Sequence, residues 1–167
     1  MTTTETTGAR AAPPHDALPV TPLCEVRVAF DPAMLVYPTP SGLRIDAIAS
    51  GGTVRGPRLD AEVLPGGGDW LELAGDGIAR MDVRATFRAT DGGVIHYRSA
   101  GRIVLTDEAR ERFLAGGTVG AGEVYGRAAP LFETAAEPHR WLNGILAVGR
   151  VVELSQRHIH YQLFVVE

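Results

Sequence analysis

From residue 23 to residue 166, short runs of alternating apolar and polar side chains recur between clusters of Gly, Pro and Asp. This period of two constrains the chain more than any other feature. Successive side chains of an extended strand point to opposite faces, so each run makes a half-buried strand and cannot present the single stripe of a helix. The runs are Leu23–Phe30, Gly42–Ser50, Arg58–Leu64, Trp70–Leu73, Ile78–Ala89, Val94–Leu105, Glu123–Phe132, Trp141–Glu153 and His158–Val166. So many strands on 167 residues predict an all-β fold, a closed antiparallel β-barrel. The turns "AGDG" (Ala74 to Gly77) and "TDGG" (Thr90 to Gly93) supply the positive-φ residues of tight hairpins, and "LSQR" closes the last pair less distinctly. One short outer helix is predicted at Asp107–Leu114: Thr106 caps it, acids fill its first turn and Gly116-Gly117 stop it. Residues 1–22, rich in Thr, Ala and Pro and without periodicity, read as a disordered tail, leaving 23–167 as a single barrel domain.

Composition removes several kinds of chemistry. Cys24 is the only cysteine, so an internal disulfide and a thiolate-rich zinc site are excluded. All 16 basic side chains are arginine, which rules out Schiff-base and lysine general-base chemistry and makes every fixed cation a planar fork suited to carboxylates, enolates or phenolates. With a net charge of −4 and no basic cluster, neither nucleic acid nor anionic lipid is an expected partner. No run is long enough to span a membrane and the N-terminus lacks a signal core, so a cytoplasmic location is the expectation. His158 and His160 share a strand face without an evident third ligand, and a catalytic metal usually takes three, so no metal site is assigned. No "GxSxG" elbow is present for a serine hydrolase.

The stretch "VLPGGGDW" (Val63 to Trp70) has the glycines of a phosphate loop. It also has Asp69, which repels an anion, and no lysine, and it continues as a strand, so it reads as a tight connection opening a strand with Asp69 and Trp70. In "MDVRATFRA" the alternation separates Met81, Val83, Ala85 and Phe87 from Asp82, Arg84, Thr86 and Arg88. Two readings stand: the polar face meets solvent, or Asp82 and Arg84 turn inward as a buried acid beside a fixed cation. Tyr97 is either a hydrogen-bond donor to a carbonyl oxygen or a wall residue. "FETAAEPHRWLN" places Phe132 and Glu133 at a strand end, with His139, Trp141 and Asn143 beyond a proline-marked loop. Read as strand, Trp141 and Asn143 share a face and suit stacking on, and hydrogen bonding to, a small aromatic ligand. The alternative has Trp141 plugging the core and Glu133 capping a turn.

Three blocks, "GGTVRGPRLDAEVLPGGGDW", "MDVRATFRATDGGVIHYRSAG" and "APLFETAAEPHRWLNGILAVGR", resemble the signatures of the domain-of-unknown-function family 3237, the UPF0311 proteins, and the similarity runs from about Leu23 to Val166. The resemblance implies a lipocalin-like barrel with a cavity, and for some members cofactor-free cyclisation in natural-product biosynthesis, such as adding a hydroxyl across an alkene. Asp82 and Arg84 match the family motif, whereas His139 and Leu131 stand where the family usually has tyrosine and arginine.

The expected function is therefore that of a cyclase or isomerase using no cofactor and acting on a small aromatic or polyketide-like metabolite. In it Asp82 or Glu133 moves the proton, Arg84 holds the developing negative charge, and Asp69, Trp70, Tyr97, Phe132, His139, Trp141 and Asn143 bind the substrate. The alternatives are a non-catalytic carrier of a small hydrophobic ligand and an accessory subunit. A homodimer is expected, on the argument that open edges and apolar outer residues such as Ile145 and Val148 need covering.

Overall fold

The computed structural model describes residues 17–167, so the expected tail lies outside the described residues up to position 16. Its last residues are strand: β1 runs Val20–Phe30, with Val20 opposite Val166. There follow β2 (Leu35–Thr39), β3 (Gly42–Arg55), β4 (Ala61–Val63), β5 (Gly68–Ala74), β6 (Ala79–Ala89), β7 (Val94–Leu105), α1 (Asp107–Leu114), β8 (Val119–Gly120), β9 (Val124–Glu133), a 3₁₀ helix (Glu137–Gly144), β10 (Ala147–Leu154) and β11 (His158–Val166). All pairings are antiparallel, and β1 bonds to β11 on one side and β3 on the other. The sheet thus closes into an eight-stranded barrel with three extra short strands, as the alternation predicted. Closure leaves unpaired edges only on the short strands β2 and β8, each of which bonds to one neighbour, so little of the open-edge argument for a homodimer remains.

One place in the barrel wall is filled by two short strands set end to end. β4 pairs with residues 52–54 of β3, β5 with residues 42–48, and both pair with β6 on their other side. Between them runs Leu64-Pro65-Gly66-Gly67, held by hydrogen bonds from Leu64 N to Thr86 O, Gly66 N to Ala49 O and Ala49 N to Gly67 O. Glycine is required here by close approach, since a Cβ on Gly67 would lie 2.6 Å from Arg84 O and 2.9 Å from Ala85 Cα. The glycine run is therefore the joint that starts β5 in register and sets Asp69 on the inner face. Gly67→Ala should cost about 1–3 kcal/mol, the scale of overpacking against backbone, while Gly122→Ala, with open space around it, should stay within roughly 0.5 kcal/mol. Equal urea midpoints for the two variants would refute this assignment.

The core is the inner face of the barrel, closed at both ends. Thr106 Oγ1 accepts the Ala109 N–H at 3.2 Å and starts α1, which buries Ala109 and Phe113 across one end. The Gln156 amide donates to Phe113 O and Leu114 O at 2.9 and 3.1 Å, tying the helix to the β10–β11 turn. At the other end Phe87, Ile95, Phe132, Leu59 and Leu142 form a packed plug. Phe87 stacks on Tyr97 (centroids 4.9 Å) and Tyr97 meets Phe132 edge-on (5.6 Å).

Candidate active site

Between the plug and α1 the barrel is hollow. Its cavity volume is ≈ 60 Å³. The wall is apolar (Val28, Phe30, Ile45, Met81, Phe113 and neighbours) apart from a few groups, chiefly Asp69, Tyr97 and Tyr161.

Asp69 owes its place to the strand phase. In β5 the residues Asp69, Leu71 and Leu73 share the inward face, so this acid occupies an apolar position. Its Oδ1 accepts the Asp82 backbone N–H at 2.9 Å, at a point where the β5–β6 ladder opens between Asp69–Val83 and Glu72–Arg80. No other hydrogen bond reaches this carboxyl among the described residues. Burial pushes its pKa up from 3.8 to about 7, the Asp82 N–H opposes the rise and the Asp82 charge adds to it. Near neutrality Asp69 is thus divided between acid and base, the condition in which one carboxyl both gives and takes a proton efficiently.

The phenols stay neutral. Burial holds Tyr97 at about 12 and Tyr161 well above the usual range, so both keep the proton with which they donate hydrogen bonds. Behind them lie Cys24, pushed up to about 12 by burial and secondarily by Asp60, and Ser99, whose buried hydroxyl has no partner among the described residues. The interior can therefore hold a largely apolar molecule, donate to an oxygen on it and exchange a proton with it.

The other expected site residues lie elsewhere. Asp82 and Arg84 face outward, 53% and 58% exposed as side chains, and pair with each other at 3.3 Å. The outward reading of "MDVRATFRA" holds because Met81, Val83, Ala85 and Phe87 supply the apolar phase that fills the barrel. Arg84 touches the hollow as part of its wall, with its guanidinium on Asp82 outside. Glu133 is exposed at the end of β9. Trp70 points outward between the inward Asp69 and Leu71.

Trp141 and Asn143 belong to the 3₁₀ helix, so the even spacing that put them on one strand face does not apply. Arg58 covers the Trp141 ring at 4.3 Å. Asn143 Oδ1 accepts the Thr134 N–H at 2.8 Å and its amide donates to Thr134 O at 2.9 Å, which fixes the helix to the end of β9. His139 bonds Asp91 at 2.9 Å in the β6–β7 turn, and Phe132 sits in the plug. His158 and His160 each meet a carboxylate of their own, Glu153 at 2.7 Å and Glu25 at 3.1 Å. No group of three or more His, Cys, Asp or Glu is placed to hold a metal among the described residues. Of the expected set, the structure brings Asp69 and Tyr97 together in one cavity and adds Tyr161, which alternation in "HIHYQLF" puts in phase with the inward Ile159 and Leu163.

Known proteins share this architecture. A UPF0311 protein of Rhodopseudomonas palustris (strain TIE-1) is 27% identical over 107 residues, 64% of this chain and 70% of the relative. The crystal structure of a conserved protein of unknown function from Rhodopseudomonas palustris superposes with a TM-score of 0.83 at 21% identity, covering 90% of this chain and 99% of that one. An enzyme from Penicillium herquei superposes with a TM-score of 0.63 at 20% identity, covering 96% and 99%. At such identities the superpositions show the fold. The signature of the family described as "Protein of unknown function (DUF3237)" matches residues 18–166, and the chain belongs to that family.

Proposed function

We propose that this barrel is an acid–base catalyst that isomerises or cyclises a small, largely apolar molecule, with Asp69 moving the proton and Tyr97 and Tyr161 donating to an oxygen that gains negative charge. The observation that carries the reading is a single buried carboxyl with a pKa of about 7 on the wall of an apolar hollow, next to two un-ionised phenols. Addition of a hydroxyl across a conjugated alkene fits this set. Base-form Asp69 takes the hydroxyl proton as the C–O bond forms, the phenols hold the enolate oxygen, and acid-form Asp69 returns the proton to carbon. The proton balance closes on one residue, and the barrel keeps bulk water from the enolate. That a structural neighbour is named an enzyme supports a catalytic reading in preference to a purely structural one.

The apolar walls favour a second reading, a carrier that binds without chemistry. The two part on Asp69. With phenols bearing a conjugated ketone as probes, 2′-hydroxychalcone first, ring closure should run faster with protein than in buffer. Asp69→Asn should lower that rate roughly a hundredfold, the scale for losing a positioned acid or base, while Asp82→Asn and Glu133→Gln stay within about twofold. Full activity of Asp69→Asn would remove the carboxyl from the mechanism. Tight binding of the probes by the wild type, with no acceleration of any, would make the protein a carrier.

A further inference from the structure

On the outside of the barrel the register aligns one row across six neighbouring strands: Arg80, Arg102, Arg127, Arg150, Gln162 and Glu25. Its two ends are neutralised. Asp76 holds Arg80 at 2.6 Å, and Glu25 has Arg27 at 3.6 Å besides accepting from the Gln162 amide at 3.0 Å. Its middle is bare. Arg102 donates to Gly101 O, Arg127 to Gly126 O and Arg150 to the Gln162 side chain, and none of the three reaches a carboxylate among the described residues. Like charges directly opposite on adjacent strands oppose pairing, and strands lie only about 4.8 Å apart. Elsewhere on the outer face some cross-strand positions are matched in sign, as in Arg44 with Glu72 and Arg88 with Glu62, and where Arg84 lies opposite Arg98 the carboxylate of Asp82 stands 3.3 Å from Arg84. Three uncompensated guanidiniums in succession are thus a local exception on a chain of net charge −4.

The flanks of the row are apolar. Val104 and Tyr125 lie opposite each other on one side, both exposed, with the Tyr125 ring under Arg127 at 4.8 Å, and Ala100 faces Ala129 on the other. Immediately beyond Val104 the chain enters α1, whose outer face has the opposite sign. Asp107 is taken by Arg110, but Glu108 and Glu111 are exposed without an ion pair, and Leu114 is exposed beside them. Residues three apart on a helix stand about 5–6 Å apart, close to the interstrand step of the arginines.

We propose that this face is the contact between two copies of the chain, with α1 of each laid on the arginine row of the other so that Glu108 and Glu111 meet Arg102, Arg127 and Arg150. Because row and helix adjoin on one molecule, a two-fold axis between copies pairs each with its complement and closes the assembly at two. Val104, Tyr125 and Leu114 supply the apolar part of the contact, and the charges set its register.

Sedimentation velocity on the full chain tests this. At about 50 mM salt and tens of micromolar protein the wild type should be a dimer, with a Kd raised about tenfold or more near 500 mM, where screening shortens to a few ångströms. Arg127→Glu alone, and Glu108→Arg with Glu111→Arg alone, should each give monomers of unchanged circular dichroism. Joining Arg102→Glu and Arg127→Glu with the two helix reversals should restore the dimer. A wild type monomeric at about 100 µM in low salt, a dimer indifferent to either set of reversals, or a combined variant that stays monomeric would each overturn the proposal. A monomer whose Arg127→Glu variant alone loses binding to a single-stranded oligonucleotide would give the row to nucleic acid instead.

Discussion

Asp69→Asn is expected to stabilise the barrel at pH 8 by up to about 4 kcal/mol and to leave it unchanged below pH 4. The carboxyl is raised from 3.8 to about 7 by burial, so the folded state holds its proton more tightly than the unfolded chain does. Such a group contributes its stability fully below pH 3.8 and loses it as pH climbs through about 7. Across that interval the loss accrues at ~1.4 kcal/mol per pH unit and then levels off. An amide carries no charge to desolvate, and its oxygen still accepts the Asp82 N–H, so the variant escapes the whole decline. For a chain of this size the gain amounts to roughly 8–16 °C in melting temperature at pH 8. Thermal melts of wild type and variant at pH 4, 6 and 8 should separate progressively. A constant difference, or a variant less stable at pH 8, would mean that Asp69 is solvated and that the proton-transfer reading lacks its basis. Joined to the loss of ring closure, the result would mark a residue kept at a cost to the fold.

Nine of the eleven strands, the closed barrel and α1 were legible, though not the short β2 and β8, because alternation and capping are local signals: Thr106, the acids behind it and the glycines after it suffice to place a helix. The two hairpin turns were legible for the same reason, with Gly77 and Gly92 at φ 76° and 89°. Asp69 was expected only to bind substrate at the opening of a strand; its place in the apolar phase of "GDWLEL" was the signal that marked it as an inward acid, and Tyr161 carried the same kind of signal in "HIHYQLF". Asp82 and Arg84 were misplaced by taking the polar phase of β6 as the site, although a barrel with an apolar interior turns that phase outward. Trp141 and Asn143 were misplaced because even spacing orients side chains only in strand, and Pro138 opens a 3₁₀ helix there. Beyond local reach lay the end-to-end setting of β4 and β5, which depends on pairings with β3 and β6, and the unmatched row of arginines, which exists only once five registers are fixed.

Phe87→Ala should destabilise the fold by about 3–5 kcal/mol, the cost of deleting a large aromatic from a site that cannot collapse. Phe87 has no exposed surface, lies in β6 opposite Ile95 and stacks on Tyr97 at 4.9 Å. Its neighbours are strands of a closed barrel, pinned on both sides by ladder hydrogen bonds, so they cannot move in to fill the void. The vacancy opens directly onto Tyr97, whose ring is also held edge-on by Phe132. Phe87→Ala should therefore weaken the site as well as the fold, because the Tyr97 ring packs between Phe87 and Phe132. Phe87→Leu, which keeps most of the volume, should fold far better while still losing the stacking, so its ring-closure rate should fall more than its melting temperature would suggest. Urea denaturation of both variants, alongside their rates on 2′-hydroxychalcone, separates the two effects. If Phe87→Ala costs less than about 1 kcal/mol, the plug is not closed and the hollow reaches solvent at that end of the barrel.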